Sequence, residues 1–117
     1  MENKKLWKLL LAALVLMVLG GLVSSAVKSN GGRVLVREVK INTRGSTFAG
    51  LIYVPKGAAA QDGEGNYTDK RPAVILSHGY LNSNAMQDPF AMELARRGFV
   101  VFSMDMYGHG NSELANN

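Results

Sequence analysis

The sequence predicts an α/β protein in which one transmembrane helix precedes a β-hairpin and a right-handed βαβ unit. Three observations carry this. A charge-free apolar run opens the chain, two segments of strand character flank a turn, and two short apolar runs bracket a well-punctuated helix.

The opening run, Leu9 to Val27, would extend about 28 Å as a helix, close to the thickness of a bilayer core. Lys4, Lys5 and Lys8 stand before it and favour a cytoplasmic N-terminus with the rest of the chain carried across. Lys28, Arg33, Arg37 and Lys40 follow closely and soften that bias. Ser24-Ser25-Ala26 has the small-residue pattern of a signal-peptidase site, while the run is longer than a typical signal-peptide core. Residues 1–27 are therefore expected to be an uncleaved single-pass anchor in the cell membrane, with secretion after cleavage as the alternative. Gly20-Gly21 and Ser24-Ser25 should loosen the last turns. Residues 28–33 read as a linker whose flexible point is Asn30-Gly31-Gly32.

The formal charge is +4, and much of the excess comes from the three lysines at the start. No block of Lys and Arg interleaved with aromatics occurs elsewhere, so nucleic acid is not an expected partner. The chain has no cysteine, which excludes disulfides, thiolate zinc sites and a cysteine nucleophile within it.

Arg33 to Ile41 alternates apolar and polar residues from Val34 onward, the period of a half-buried strand. Asn42 to Ser46 supplies a turn. Thr47 to Val54 is β-branched and aromatic enough for a second strand, which Pro55 ends because it has no amide hydrogen to donate. Lys56 to Arg71 has three glycines, mixed charge and no periodicity, and reads as an exposed loop. Within it Asp62, Glu64 and Asn66 alternate like the start of a calcium loop. Tyr67 and Ala73 stand where such a loop needs glycine and a bidentate glutamate, so no metal site is expected.

Ala73 to Leu76 is a continuous apolar run of the kind found in strands buried on both faces. Asp88-Pro89 then opens a helix, with Asp88 as cap and Phe90, Ala91, Leu94 and Ala95 as the apolar face. Arg96 and Arg97 oppose the negative end of its dipole, and Gly98 supplies a left-handed exit. Phe99 to Met104 is another buried-type strand.

Ser77-His78-Gly79-Tyr80 follows the first of these strands, and Asp105 to Ser112 follows the second. Both loops thus fall at the carboxyl ends of parallel strands, where open α/β sheets place their ligands. A hairpin, a strand ending in His-Gly, a helix and a strand ending in Asp-x-x-Gly-x-Gly-x-Ser, in this order, resemble the α/β-hydrolase superfamily from Val34 to Glu113. The resemblance implies that residues 34–117 are the N-terminal portion of such a domain, incomplete at its end. It implies that the amide of Tyr80 is one donor of an oxyanion hole, that Gly79 permits close approach there, and that the Tyr80 ring can line an acyl pocket. His78 is expected to hold that loop in shape rather than act as a base. Asp105, Gly108 and Gly110 would shape the second loop, with His109 exposed in it. The resemblance also implies the strand order 1-2-4-3, which leaves Ala73–Leu76 at an open edge with part of the Phe99–Met104 strand exposed.

No serine lies in the family's Gly-x-Ser-x-Gly elbow: Ser77 lacks the first glycine and Ser112 the second. Asp105, His109 and Ser112 do not make a convincing triad, because one glycine-rich loop would hold them poorly. The expectation is therefore a membrane-anchored serine hydrolase of esters, thioesters or amides whose nucleophile lies beyond this chain. Its partners would be the lipid bilayer and a small-molecule or peptide acyl substrate, with no cofactor. The alternative is a non-catalytic, membrane-tethered binding module on a partial hydrolase scaffold.

Overall fold

A computed structural model describes residues 2–113. Helix α1 spans Glu2–Lys28, so the three N-terminal lysines lie within its first turns. It is long and apolar enough to cross a membrane, and none of its central window is buried by the rest of the chain. Gly20-Gly21 and the serine pair do not interrupt it, since the leucine, alanine and valine around them keep the segment helical. The helix ends in a Schellman motif: Gly31 N–H donates to the Ala26 carbonyl (2.7 Å) and Asn30 N–H to that of Val27 (3.2 Å). Asn30 takes the left-handed position, φ 51°. The segment read as a flexible linker is thus a closed turn, fixed further by Gly32 N–H to Ser29 Oγ and Val34 N–H to the Ser29 carbonyl (both 3.1 Å).

Strands β1 (Val34–Thr43) and β2 (Ser46–Pro55) form a hairpin in the register Val34 opposite Pro55 through Thr43 opposite Ser46. Arg44 and Gly45 alone make the turn, both with positive φ (48° and 78°), the twist that suits a two-residue hairpin. Strands β3 (Ala73–Ser77) and β4 (Val100–Met104) pair in parallel, and β4 pairs antiparallel with β2, giving the order β1-β2-β4-β3. Gly50 is required where β2 meets β4: a Cβ there would stand 2.5 Å from the Ser103 carbonyl and 2.8 Å from the Phe102 ring. The Phe102 ring lies over Gly50, and Val100, Phe102 and Met104 are half-buried instead of forming the exposed patch expected.

Helix α2 (Asp88–Arg96) connects β3 to β4 and packs on one face of the sheet, where Ala91 and Ala95 meet Val34, Tyr53 and Val101. Asp88 does not cap this helix. A 3-10 turn over Asn84–Gln87 runs straight into it, and the Asp88 carboxylate instead accepts the hydroxyl hydrogen of the fully buried Tyr53. Phe90 is likewise not on the buried face but 65% exposed, because small alanines let the helix lie close to the sheet on its other side. Gly98 leaves the helix with φ 98° as expected.

In the loop between β2 and β3, the Asp62 carboxylate accepts the backbone N–H groups of Glu64 and Asn66 (both 2.9 Å). The Asn66 backbone bond, foremost, holds this exposed carboxyl below its usual range. Its oxygens are engaged in shaping a small hairpin, closed by the bridge between Gln61 and Tyr67.

Strand β3 departs from the sequence expectation of burial on both faces. Among the described residues only β4 borders it, and Ile75 is 68% exposed. Its outer edge carries the unpaired N–H and C=O groups that recruit further strands. Residues 28–117 produced without α1 are therefore expected to self-associate through β3, and Ile75→Lys is expected to shift them toward monomer in sedimentation velocity. A wild-type monomer with amides 74–76 strongly protected from exchange would show that the edge is already satisfied.

Candidate functional site

The loops after β3 and β4 meet at the carboxyl end of the parallel pair, and His78 ties them together. Its side chain is buried, and Met106 N–H donates to Nε2 at 3.0 Å. That bond makes Nε2 the acceptor and leaves the hydrogen on Nδ1, which donates to the Gly79 carbonyl at 2.7 Å. With both nitrogens committed, the ring clamps one loop to the other. Asp105 lies 4.0 Å from Nε2, too far for a direct hydrogen bond.

Asp105 is itself 1% exposed and serves as the hub of the second loop. One carboxylate oxygen accepts Asn84 N–H (2.6 Å); the other accepts the Asn84 side-chain amide (3.0 Å) and Asn111 N–H (2.9 Å). Ser103 Oγ donates to the Asn84 carbonyl (3.2 Å), so Asn84 is held on all sides. Sequence reasoning missed Asn84, whose only signal was its position just before the helix. Gly110, φ 53°, passes so close to Asp105 that a Cβ would fall 2.3 Å from the carboxylate. Gly108 also has positive φ, 70°. These two glycines fold the loop back around the carboxylate.

Ser112 belongs to the same scaffold. Its buried hydroxyl donates to the Asp105 carbonyl (2.8 Å) and accepts Ala49 N–H (2.9 Å), joining the loop to β2. Glu113 N–H adds a bond to the Thr47 carbonyl (2.8 Å). Asp105 and Ser112 are thus both spent on holding the chain, which leaves no catalytic triad with His109. The His109 ring is half-buried, not exposed, because it lies against His78 (centroids 5.4 Å apart) and Tyr80 (6.3 Å).

Beyond the clamp the first loop turns outward. Tyr80 and Leu81 are 85% and 77% exposed, and Leu81 has φ 57°. Among the described residues the Tyr80 amide makes no hydrogen bond. A Cβ on Gly79 would meet nothing within 4 Å, and its φ lies outside the left-handed region. Neither packing nor backbone conformation within the described residues calls for glycine there. The site therefore offers an unoccupied amide donor beside open space, on a loop fixed from below by a committed histidine.

The model of the serine aminopeptidase (S33) hydrolase family matches residues 68–116, the stretch holding both loops. Among solved structures, a hypothetical protein from Pseudomonas aeruginosa is similar with TM-score 0.53 and 26% identity, over 69% of this chain and 23% of that one. The thioesterase domain of the curacin biosynthetic pathway gives TM-score 0.52 and 22% identity over 68% and 23%. A bacterial membrane phospholipase A gives TM-score 0.50 and 21% identity over 97% and 33%. The chain thus spans between 23% and 33% of the length of these structures. No curated protein matches it.

Ser112→Ala should leave the buried Ala49 N–H without a partner and cost about 1–3 kcal/mol of stability. Gly110→Ala should cost at least as much, from steric conflict with Asp105. Urea unfolding of the detergent-solubilised chain would measure both; a neutral Ser112→Ala would remove that serine from the scaffold.

Proposed function

We propose that the chain is the N-terminal part of a membrane-anchored serine hydrolase of the α/β-hydrolase superfamily, acting on a carboxylic ester, thioester or amide. The observation that carries this reading is the Tyr80 amide, free and at the carboxyl end of β3, on a loop that His78 holds rigid. In acyl transfer, negative charge develops on the carbonyl oxygen as the nucleophile adds. An N–H fixed in advance stabilises that charge without reorganising at the moment of reaction. Tyr80 supplies this donor and the open space over Gly79 receives the acyl group. The serine, its acid and its histidine are supplied by segments beyond Asn117, where the family carries them. His78, Asp105, Gly108 and Gly110 act as positioning residues.

In the longer protein, Tyr80→Pro removes the N–H and should lower kcat by about 10²–10³-fold with little change in KM, while Tyr80→Phe keeps the amide and most of the rate. Residues 1–117 alone should hydrolyse no activated acyl ester. Turnover by that chain abolished by Ser112→Ala would overturn the assignment of the nucleophile.

Helix α1 serves as an uncleaved anchor with its N-terminus in the cytoplasm and the hydrolase region outside; the lysines at positions 4, 5 and 8 and the exposed apolar surface support this. Protease added to intact spheroplasts should then digest the chain beyond Lys28. Digestion only after lysis would place the domain on the cytoplasmic side.

A further inference from the structure

Strand β1 is antiparallel to β2, β2 is antiparallel to β4, and β4 is parallel to β3, so β1 runs in the same direction as the two strands that carry the site. The anchor enters at the start of β1, which is therefore the end of the sheet opposite the Tyr80 and Asp105 loops. The register gives the separation. Asp105 N–H bonds the carbonyl of Ala49, which lies opposite Lys40, six residues along from Val34. At about 3.3 Å per residue the site loops begin roughly 20 Å beyond the anchor's point of entry.

The end where the anchor enters also gathers cations. Arg33 precedes β1, Lys56 follows β2, Lys70 and Arg71 precede β3, and Arg96 and Arg97 close α2. They are neighbours: Lys56 N–H donates to the Arg33 carbonyl (2.9 Å), and a Cβ on Gly98 would lie 3.0 Å from the Arg71 guanidinium. Asp69 pairs with Arg71, and Glu93 with Arg96 and Arg97. Arg33, Lys56 and Lys70 have no carboxylate partner among the described residues. Against these six cations stand Asp62, Glu64, Asp69 and Glu93, which leaves this end two charges positive, or three with Lys28. Elsewhere between residues 34 and 113, Arg37, Lys40 and Arg44 face Glu38, Asp88, Asp105 and Glu113, one charge negative. Helix α1 carries exposed side chains along its length, and the longest dimension of the chain, 64 Å, exceeds the roughly 40 Å of a helix of 27 residues, so it projects beyond the domain.

We infer that this basic end is a docking surface for anionic lipid headgroups, which stands the domain on the bilayer with the Tyr80 and Asp105 loops turned toward water. The inference rests on the anchored reading above. Arg33 follows Lys28 by five residues through a hydrogen-bonded turn, which keeps the cations within about a Debye length of the headgroups, where attraction is effective. The site so raised receives a water-soluble acyl substrate, not a lipid still seated in the membrane.

The absence of cysteine makes the test direct. Gly57→Cys and Asn82→Cys place single exposed labels at the anchor end and the site end of the full chain, reconstituted at low protein-to-lipid ratio. With acceptor dyes on the headgroups of phosphatidylserine-containing vesicles, energy transfer should be stronger from position 57 than from position 82. That difference should shrink at least twofold in pure phosphatidylcholine, in high salt, or when Arg33, Lys56 and Lys70 are all changed to Gln. Equal transfer from the two positions, or a difference indifferent to lipid charge and to the substitutions, would overturn the docking surface. A chain that fails to float with the vesicles would instead overturn the anchored reading, and the inference with it.

Discussion

The buried carboxylate of Asp105 is the constraint on which the site end of the sheet depends. Taking such a group out of water costs several kcal/mol unless donors replace its hydration. Here Asn84 and Asn111 supply them, and each donor comes from a different place: the approach to α2 and the far side of the second loop. Satisfying one side chain therefore fixes the entry to the helix, the path of the loop after β4 and, through the Asp105 carbonyl and Ser112, the link back to β2. His78 adds the remaining connection by accepting Met106 N–H. The first loop is tied down at His78 by this network, while Tyr80 and Leu81 just beyond it stay exposed.

Close backbone approach is the second constraint. Gly50 lets β4 settle against β2, Gly110 lets the second loop wrap the carboxylate, and the small side chains of Ala91 and Ala95 bring α2 down on Tyr53 and Val101. Tyr53 joins this packing to the polar side of the fold by donating to Asp88 at the start of α2. The apolar core is small, and much of what orders the domain is hydrogen bonding between loops. Strand β3, with one neighbour and an exposed isoleucine, is the part least supported by either.

Local chemistry made much of this legible. The alternation in β1, the Asp-Pro start and glycine exit of α2, and the two apolar runs gave the elements, and the motif order gave the topology. The errors arose where a residue's partner is distant in sequence. Asp88 has the chemistry of a cap, yet the tyrosine hydroxyl 35 residues earlier competes for it. Phe90 fits an apolar helical stripe, but alanines suffice on the buried side. Asn84 gave no signal beyond its place before the helix, because its importance comes from Asp105, 21 positions away.

Period, punctuation and charge are short-range properties, so the sequence by itself determined an apolar first helix, a hairpin, a helix between two parallel strands and loops at their carboxyl ends. Hydrogen-bond partnership and exposure are properties of assembled strands. Only the tertiary structure decided that Ser112 and Asp105 are spent on scaffolding, that the Tyr80 amide has no partner among the described residues, and that the junction after Lys28 is a closed turn. It also decided that helix α1 and the cations share one end of the sheet while the candidate site occupies the other, because strand direction and register bring together residues that no local pattern connects.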